Sequence, residues 1–226
     1  MPNVLITGAG RGLGLEFARQ YAADGWRVQA CLRDPSKAAA LQAIKGNVTI
    51  QELDPCNPAQ VAALGKSPGG APIDLLINNA GTYGPREDNV AKIGYEDWLE
   101  TFRLNSIAPL KVAAALADRV AASERKLMVF ITSLMGSIER LTPGAYPYRM
   151  SKAALNAGVK GLSQELAPRG ITMIVIHPGW VQTDMGGPTA PVKPTDSIAG
   201  MRSVIAKVGK KDNGRFFGYD GESIPW

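Results

Sequence analysis

Short, continuously apolar runs separated by longer helix-spaced stretches constrain this chain more than any other feature. The runs fall at Val4–Ile6, Arg27–Cys31, Val48–Gln51, Ile73–Ile77, Leu127–Thr132 and Ile171–Ile176, and Val, Ile and Leu dominate them. Unbroken apolarity over so few residues suits a parallel strand buried on both faces, whereas a strand with one wet face alternates. Between the runs lie Leu13–Ala23, Ser36–Ile44, Pro58–Leu64, Tyr95–Ala122 and Tyr148–Leu166, where Ala, Leu and charged residues recur at helical spacing. Asp24-Gly25 and Pro168-Arg169-Gly170 supply stop signals for the first and last of these. Strand–helix alternation of this kind implies right-handed βαβ crossovers and an α/β, doubly wound parallel sheet.

Two stretches break the rhythm. Gly84–Ile93 follows the fourth strand, and Met185–Pro194, rich in Gly and Pro, follows the sixth. Open α/β sheets bind ligands at the carboxyl ends of their strands, so both stretches border a site, the second as a substrate flap over about residues 185–194. Gly214–Tyr219 reads as a last edge strand, after which Asp220-Gly221 turns the chain toward Pro225-Trp226.

At 226 residues, with 45% hydrophobic and 20% charged residues, the chain has the makings of one globular domain spanning 1–226. Its net charge of +5 raises a nucleic-acid reading. The basic residues are scattered, however, with only Lys207, Lys210 and Lys211 clustered, and no aromatic residues interleave with them as a base-stacking surface needs. Cys31 and Cys56 lack metal-ligand spacing and cannot staple a secreted scaffold, so no metal is expected. Met1 runs directly into Val4-Leu5-Ile6 without a leader, and the longest apolar runs are too short to span a bilayer. A cytoplasmic protein is expected, with neither membrane nor nucleic acid as partner.

The segment Thr7-Gly8-Ala9-Gly10-Arg11-Gly12-Leu13-Gly14 sits between the first strand and the first helix. A chain that turns here into a helix offers free N–H groups and the positive end of the helix dipole to a pyrophosphate. Glycines let the backbone approach the phosphates and let the helix lie close to the sheet. The pattern is T-G-x-x-x-G-x-G; strict G-x-G-x-x-G fails because Leu13 occupies its last position.

This segment resembles the nucleotide fingerprint of short-chain dehydrogenases/reductases, and further matches follow in that family's order. Asn78-Asn79-Ala80-Gly81 resembles the N-N-A-G motif after the fourth strand. Asn105, Ser133 and Tyr148-Arg149-Met150-Ser151-Lys152 resemble the catalytic set, and Pro178-Gly179-Trp180-Val181-Gln182-Thr183 resembles the segment after the sixth strand. The ending Asp220-Gly221…Ile224-Pro225-Trp226 is similar to the C-factor-like and sniffer-like carbonyl reductase branch. The resemblance implies a Rossmann-type fold and an NAD(P) site. Its contacts would come from Gly8, Gly10, Arg11, Gly12, Leu13, Gly14, Asn79, Ala80, Gly81, Tyr148, Lys152, Pro178, Gly179, Val181 and Thr183, with Asp54 against the adenine. It also implies pairing through the two long helices into a homodimer or homotetramer, which the small residues Ala113, Ala114, Ala115, Ala153, Ala154, Ala157, Gly158 and Gly161 would permit; core packing explains the same residues.

Cofactor choice turns on the tip of the second strand. An acid there bonds the ribose hydroxyls and repels a 2′-phosphate, whereas an arginine pairs with it. Leu32 stands where NAD-using relatives tend to carry Asp, and Arg33 follows, with Arg11 as a second positive charge. NADP(H) is therefore expected over NAD(H). Asp34 is the alternative ribose contact if the strand ends one residue later.

Tyr148 and Lys152 are four apart on a helix and so share a face, one turn apart. A free tyrosine titrates near pH 10, and a neighbouring ammonium favours its phenolate, bringing it within acid–base range. Ser133, ending the fifth strand, can donate a hydrogen bond to a substrate oxygen. Asn105 is a poor helix former inside the long helix; the family resemblance implies a local kink there, a water-linked proton relay, and contact of Lys152 with the nicotinamide ribose. Ser133 precedes Tyr148 by fifteen positions, more than the family's usual interval, which leaves Ser137 as an alternative partner. His177, the only histidine, precedes Pro178-Gly179 at a strand end and reads as structural; no G-x-S-x-G elbow is present. Apolar residues Tyr83, Leu134, Met135, Leu141 and Trp180 suggest a small hydrophobic carbonyl or alcohol as substrate. The expectation is an NADPH-dependent oxidoreductase with Tyr148 as general acid/base. Its rivals are a dinucleotide-binding regulatory or signalling protein with little turnover, and an NAD-linked alcohol dehydrogenase.

Overall fold

The computed structural model describes residues 1–66 and 70–226. Strands β1 (Asn3–Thr7), β2 (Arg27–Leu32), β3 (Val48–Glu52), β4 (Leu75–Asn78), β5 (Leu127–Ile131), β6 (Thr172–His177) and β7 (Arg215–Gly218) form one sheet. Its order is β3-β2-β1-β4-β5-β6-β7, and every neighbouring pair is parallel. The chain winds outward from β1 to β3, then returns to lay β4 on the other side of β1. The switch point therefore falls between β1 and β4, where a crevice opens beyond the carboxyl ends.

The apolar runs are continuous because helices cover both faces. Val4, Ile6, Ile174 and Ile176 point into one core layer, closed by α1 (Gly12–Ala23), the short α2 (Ala39–Gln42) and α7 (Pro194–Lys207). Leu5, Leu76, Phe130 and Val175 point into the other, closed by α3 (Pro58–Gly65), α5 (Ala108–Ala121) and α6 (Tyr146–Leu166). The edge strand expected at Gly214–Tyr219 forms over Arg215–Gly218, in parallel with β6.

Three sequence expectations need correction. Ser36–Ile44 is not one helix: Pro35–Lys37 forms a 3₁₀ turn capped by the Asp34 carboxylate, and only Ala39–Gln42 is α-helical. Tyr95–Ala122 divides into α4 (Tyr95–Phe102), a π-helical turn at Arg103–Ile107, and α5. The flap ends before Pro194, because that proline opens α7, an element the sequence reading did not contain. Pro in the first turn and Asp196 beside the positive helix end favour a start there. Ile198, Met201 and Ile205 then lie at helical spacing and are buried against α1.

If α7 is a core helix, Met201→Ala should lower stability by about 2–5 kcal/mol. Ser203→Ala on its exposed face should change it by less than about 0.5 kcal/mol. Midpoints of urea unfolding for the two variants check both values.

Candidate active site

The turn after β1 is held open by β4. Gly8 has φ +65°, and a Cβ on it would lie 2.9 Å from the Cα of Ala80. The Thr7 hydroxyl accepts from the backbone N–H of Asn79 (3.0 Å) and of Ala80 (3.1 Å), while the Asn79 amide donates to the carbonyls of Thr7 (3.0 Å) and Gly8 (3.1 Å). Asn79 and Ala80 thus brace the glycine turn. Gly14 is required by contact: its Cβ would lie 2.2 Å from the Gly8 oxygen. Gly10 backs onto Leu32, Gly12 faces Thr183, and Leu13 packs against the core. No side chain caps the start of α1, and no acid stands in its first turn, so its N–H groups are left for an anion.

The tip of β2 carries the charges expected for a phosphate. Arg33 is exposed and makes no ion pair among the described residues. Asp34 is committed to its own turn: its carboxylate accepts from the Ser36 N–H (3.1 Å) and hydroxyl (2.6 Å) and pairs with Lys37 (3.5 Å). Those Ser36 bonds also hold its carboxyl below the usual range. Arg11 pairs with Asp184 across the surface at 3.1 Å. Asp54 closes a turn by accepting from the Cys56 N–H at 2.9 Å. Beyond β6, Gly179 (φ +86°) abuts Tyr219, Pro178 accepts from the Ser197 hydroxyl at 2.6 Å, and buried Val181 bridges Val192, closing the base of the flap.

The four expected chemical residues converge across the crevice. Tyr148 and Lys152 lie buried on successive turns of α6, and the Lys152 ammonium donates to the last carbonyl of β5, Ile131, at 2.8 Å. Ser133 follows two residues later; its hydroxyl accepts from the Met135 N–H at 3.1 Å and stands near enough to the Tyr148 phenol to pull that group's pKa down. Ser137 is enclosed and donates to the Pro225 carbonyl at 2.8 Å, so it is Ser133 that meets Tyr148. Asn105 sits in the π-helical turn and clasps Thr82 through both its N–H (2.9 Å) and its carbonyl (2.8 Å). A Cβ on Gly81 would touch both Asn105 and Lys152, so the N-N-A-G segment joins the two halves of the site.

Burial controls the protons. It pushes the Tyr148 phenol up to about 12, assisted by Tyr83, while Ser133 pulls the other way. It pushes the Lys152 ammonium down to about 8. The Lys152 ammonium was expected to bring the Tyr148 phenol down; desolvation dominates instead, Lys152 is not among the groups that shift it, and the phenol keeps its proton at neutral pH. His177 is driven down to about 4 by burial, as a neutral structural imidazole.

Tyr83, expected only as a wall, stacks on Tyr148 with centroids 4.7 Å apart. Arg86 caps its ring at 4.7 Å and donates to the Met185 carbonyl of the flap at 2.9 Å. Thr7 headed the glycine segment in the sequence without a bracing role of its own, and Asn156 was not singled out. Thr7 had a signal in its place at a strand end beside the glycines, and Asn156 in its i+4 spacing from Lys152.

Fold and site are those of the doubly wound α/β class that binds its ligand at a strand switch point. Residues 2–193 match the family described as short chain dehydrogenase, and the chain belongs to that family of oxidoreductases. It is 44% identical to the C-signal protein of Myxococcus xanthus over 156 residues, 69% of this chain and 93% of that one. The carbonyl reductase Sniffer of D. melanogaster superposes with a TM-score of 0.93 at 33% identity, covering 100% of both chains. An NADPH-bound carbonyl reductase from chicken fatty liver gives 0.91 at 33% identity, covering 100% of this chain and 99% of that one. No helix among the described residues is long and apolar enough to cross a membrane.

Gly14→Ala forces the Gly8 carbonyl aside and should cost at least about 1–3 kcal/mol of stability, or a comparable loss in dinucleotide affinity. Unfolding midpoints and dinucleotide titration, run together, check this.

Proposed function

We propose that this protein is an NADPH-dependent carbonyl reductase that also runs the reverse alcohol oxidation, with Tyr148 as the proton donor. The observation that carries the reading is the convergence of the Tyr148 phenol, Ser133 hydroxyl and buried Lys152 ammonium beside the braced glycine turn. The bound dinucleotide supplies the hydride. Tyr148 holds a proton at its phenolic oxygen and delivers it to the substrate oxygen, while Ser133 orients that oxygen by a second hydrogen bond. Lys152, charged below about pH 8, holds the ribose side of the cofactor and favours the phenolate once the proton has left. Asn105 keeps the Gly81–Thr82 segment beside that ammonium.

The cofactor is NADP(H): an uncapped helix start takes the pyrophosphate, and Arg33 is available to a 2′-phosphate while Asp34 is turned into its own bonds. The NADPH bound by the chicken reductase supports this choice. The substrate is a small hydrophobic carbonyl, for which exposed Leu141, Trp180 and Met185 offer apolar contact at the mouth. The protein works in the cytoplasm and self-associates: Tyr95, Leu99 and Ile107 are exposed along α4 and the π-helical turn. Of the small residues considered for that contact, Ala113 is core and Gly158 packs against Leu110 within the chain. A signalling role with little turnover is a second reading, favoured by the similarity to a protein named C-signal. A panel of aldehydes, ketones and quinones with NADPH separates the two by turnover.

Two outcomes are expected. Tyr148→Phe should lose at least about 10²-fold in turnover yet keep NADPH binding, and native reduction should decline above about pH 8 as Lys152 loses its proton. A charge-assisted contact contributes about 1.5–3 kcal/mol. Arg33→Ala should therefore weaken NADPH by roughly ten- to a hundredfold and leave NADH little changed. Calorimetric titration of both cofactors into native protein and variant decides it; equal losses would remove Arg33 from the phosphate site.

A further inference from the structure

The helix face that presents Tyr148 and Lys152 continues to a third polar residue one turn on. Asn156 is 3% exposed. A buried amide is costly unless its hydrogen bonds are made, and an apolar residue would pack here without that demand. Both its bonds are made, and both reach the segment that carries Ser133. Its Oδ1 accepts from the Thr132 hydroxyl at 2.7 Å, and its Nδ2 donates to the Gly136 carbonyl at 3.1 Å. The carbonyl can only accept, which fixes the amide's orientation.

Three consecutive turns of α6 therefore hold one short stretch of chain. Tyr148 meets Ser133, Lys152 takes the Ile131 carbonyl, and Asn156 grips the residue before Ser133 and the residue three after it. On its far side Thr132 donates its backbone N–H to Ile176 of β6 at 2.9 Å, so Asn156 ties Ser133 to the sheet as well as to the helix. Among the described residues the Ser133 hydroxyl is otherwise held by the local Met135 N–H alone, and its carbonyl by the Gly136 N–H at 2.9 Å.

We infer that Asn156 is a positioning residue for the reaction, clamping residues 132 and 136 so that the Ser133 hydroxyl stays in register with the Tyr148 phenol. This rests on the proposed roles of Ser133 and Tyr148. Misplacing a reacting group by about 1 Å can lose on the order of 10²-fold in rate. Asn156→Ala should accordingly lower kcat for the fastest carbonyl of the panel by about 10- to 100-fold, with NADPH affinity unchanged. Because Ser133 pulls the phenol's pKa down, loosening it should also move the rising limb of the alcohol-oxidation pH profile to higher pH.

The test measures kcat, KM, NADPH affinity and the pH profile of oxidation in Asn156→Ala, Thr132→Val and the double variant, with Tyr148→Phe alongside. Thr132→Val keeps the branched shape and breaks one arm of the clamp, so it carries the test if Asn156→Ala does not fold. The inference expects reduced kcat, an upward-shifted profile and a double variant no worse than the stronger single one. Native kcat and pH profile in the folded variants, beside an inactive Tyr148→Phe, would overturn the Asn156 assignment alone. An active Tyr148→Phe would overturn the proposed function and this inference with it.

Discussion

The chemical end of this protein depends on how closely α6 lies against the end of β5. A Cβ on Gly136 would stand 2.8 Å from both the carbonyl carbon and the Cβ of Lys152, so only glycine lets the helix and the post-strand turn come together. That approach brings the Lys152 ammonium within 2.8 Å of the Ile131 carbonyl, and from it follow the burial of Tyr148 and the meeting of Tyr148 with Ser133. A second close approach supports the first. Gly158 admits the Leu110 side chain, pressing α5 onto α6 and carrying the π-helical turn with Asn105 to the Ser151 hydroxyl at 3.0 Å. Small residues on α6 thus act first within the chain.

Burial without a nearby carboxylate has a specific electrostatic result. Desolvation penalises the charged form of each group, so the phenol rises to about 12 and the ammonium falls to about 8. Below both values the phenol keeps its proton and the ammonium its charge, which is the combination the proposed reduction needs. At the tip of β2 the logic is simpler: Asp34 satisfies itself locally through Ser36 and Lys37, leaving Arg33 exposed beside it. The same short turn pairs the acid with Lys37 and leaves Arg33 without an ion partner among the described residues.

The strands were legible because burial on both faces writes an unbroken apolar run, a signal that needs no knowledge of partners. The glycine turn was legible for a comparable reason: Gly8 and Gly14 are demanded by contacts of the backbone itself. What escaped depended on partners distant in sequence. Helix α7 hid behind a Gly- and Pro-rich approach, and its apolar positions gain meaning only against α1. The break between α4 and α5 was legible as a poor helix former at Asn105 and as the kink the family resemblance implied there; its reason is the clasp on Thr82 some twenty residues earlier. The sequence favoured Ser133 for its place at the strand end but kept Ser137 as an alternative; the Pro225 carbonyl, 88 positions away, occupies the Ser137 hydroxyl.

The two halves of the site differ in how they are built. The cofactor side is fixed by backbone: Thr7 and Asn79 cross-brace two central strands, and no loop intervenes between the brace and the sheet. The other half, expected to border the substrate, is made of chain that leaves the sheet: the Tyr83–Arg86 stretch and the flap are joined by Arg86, and the Val181–Val192 bridge closes the flap's base. Loops supported at their bases can change side chains without disturbing the strands beneath them. Tyr83 is the point where the two halves touch, since its ring lies on Tyr148 while Arg86 connects it to Met185. A substitution there reaches both Tyr148 and the flap. Other side chains of these loops can vary without touching Tyr148, and Tyr83 is where that independence ends.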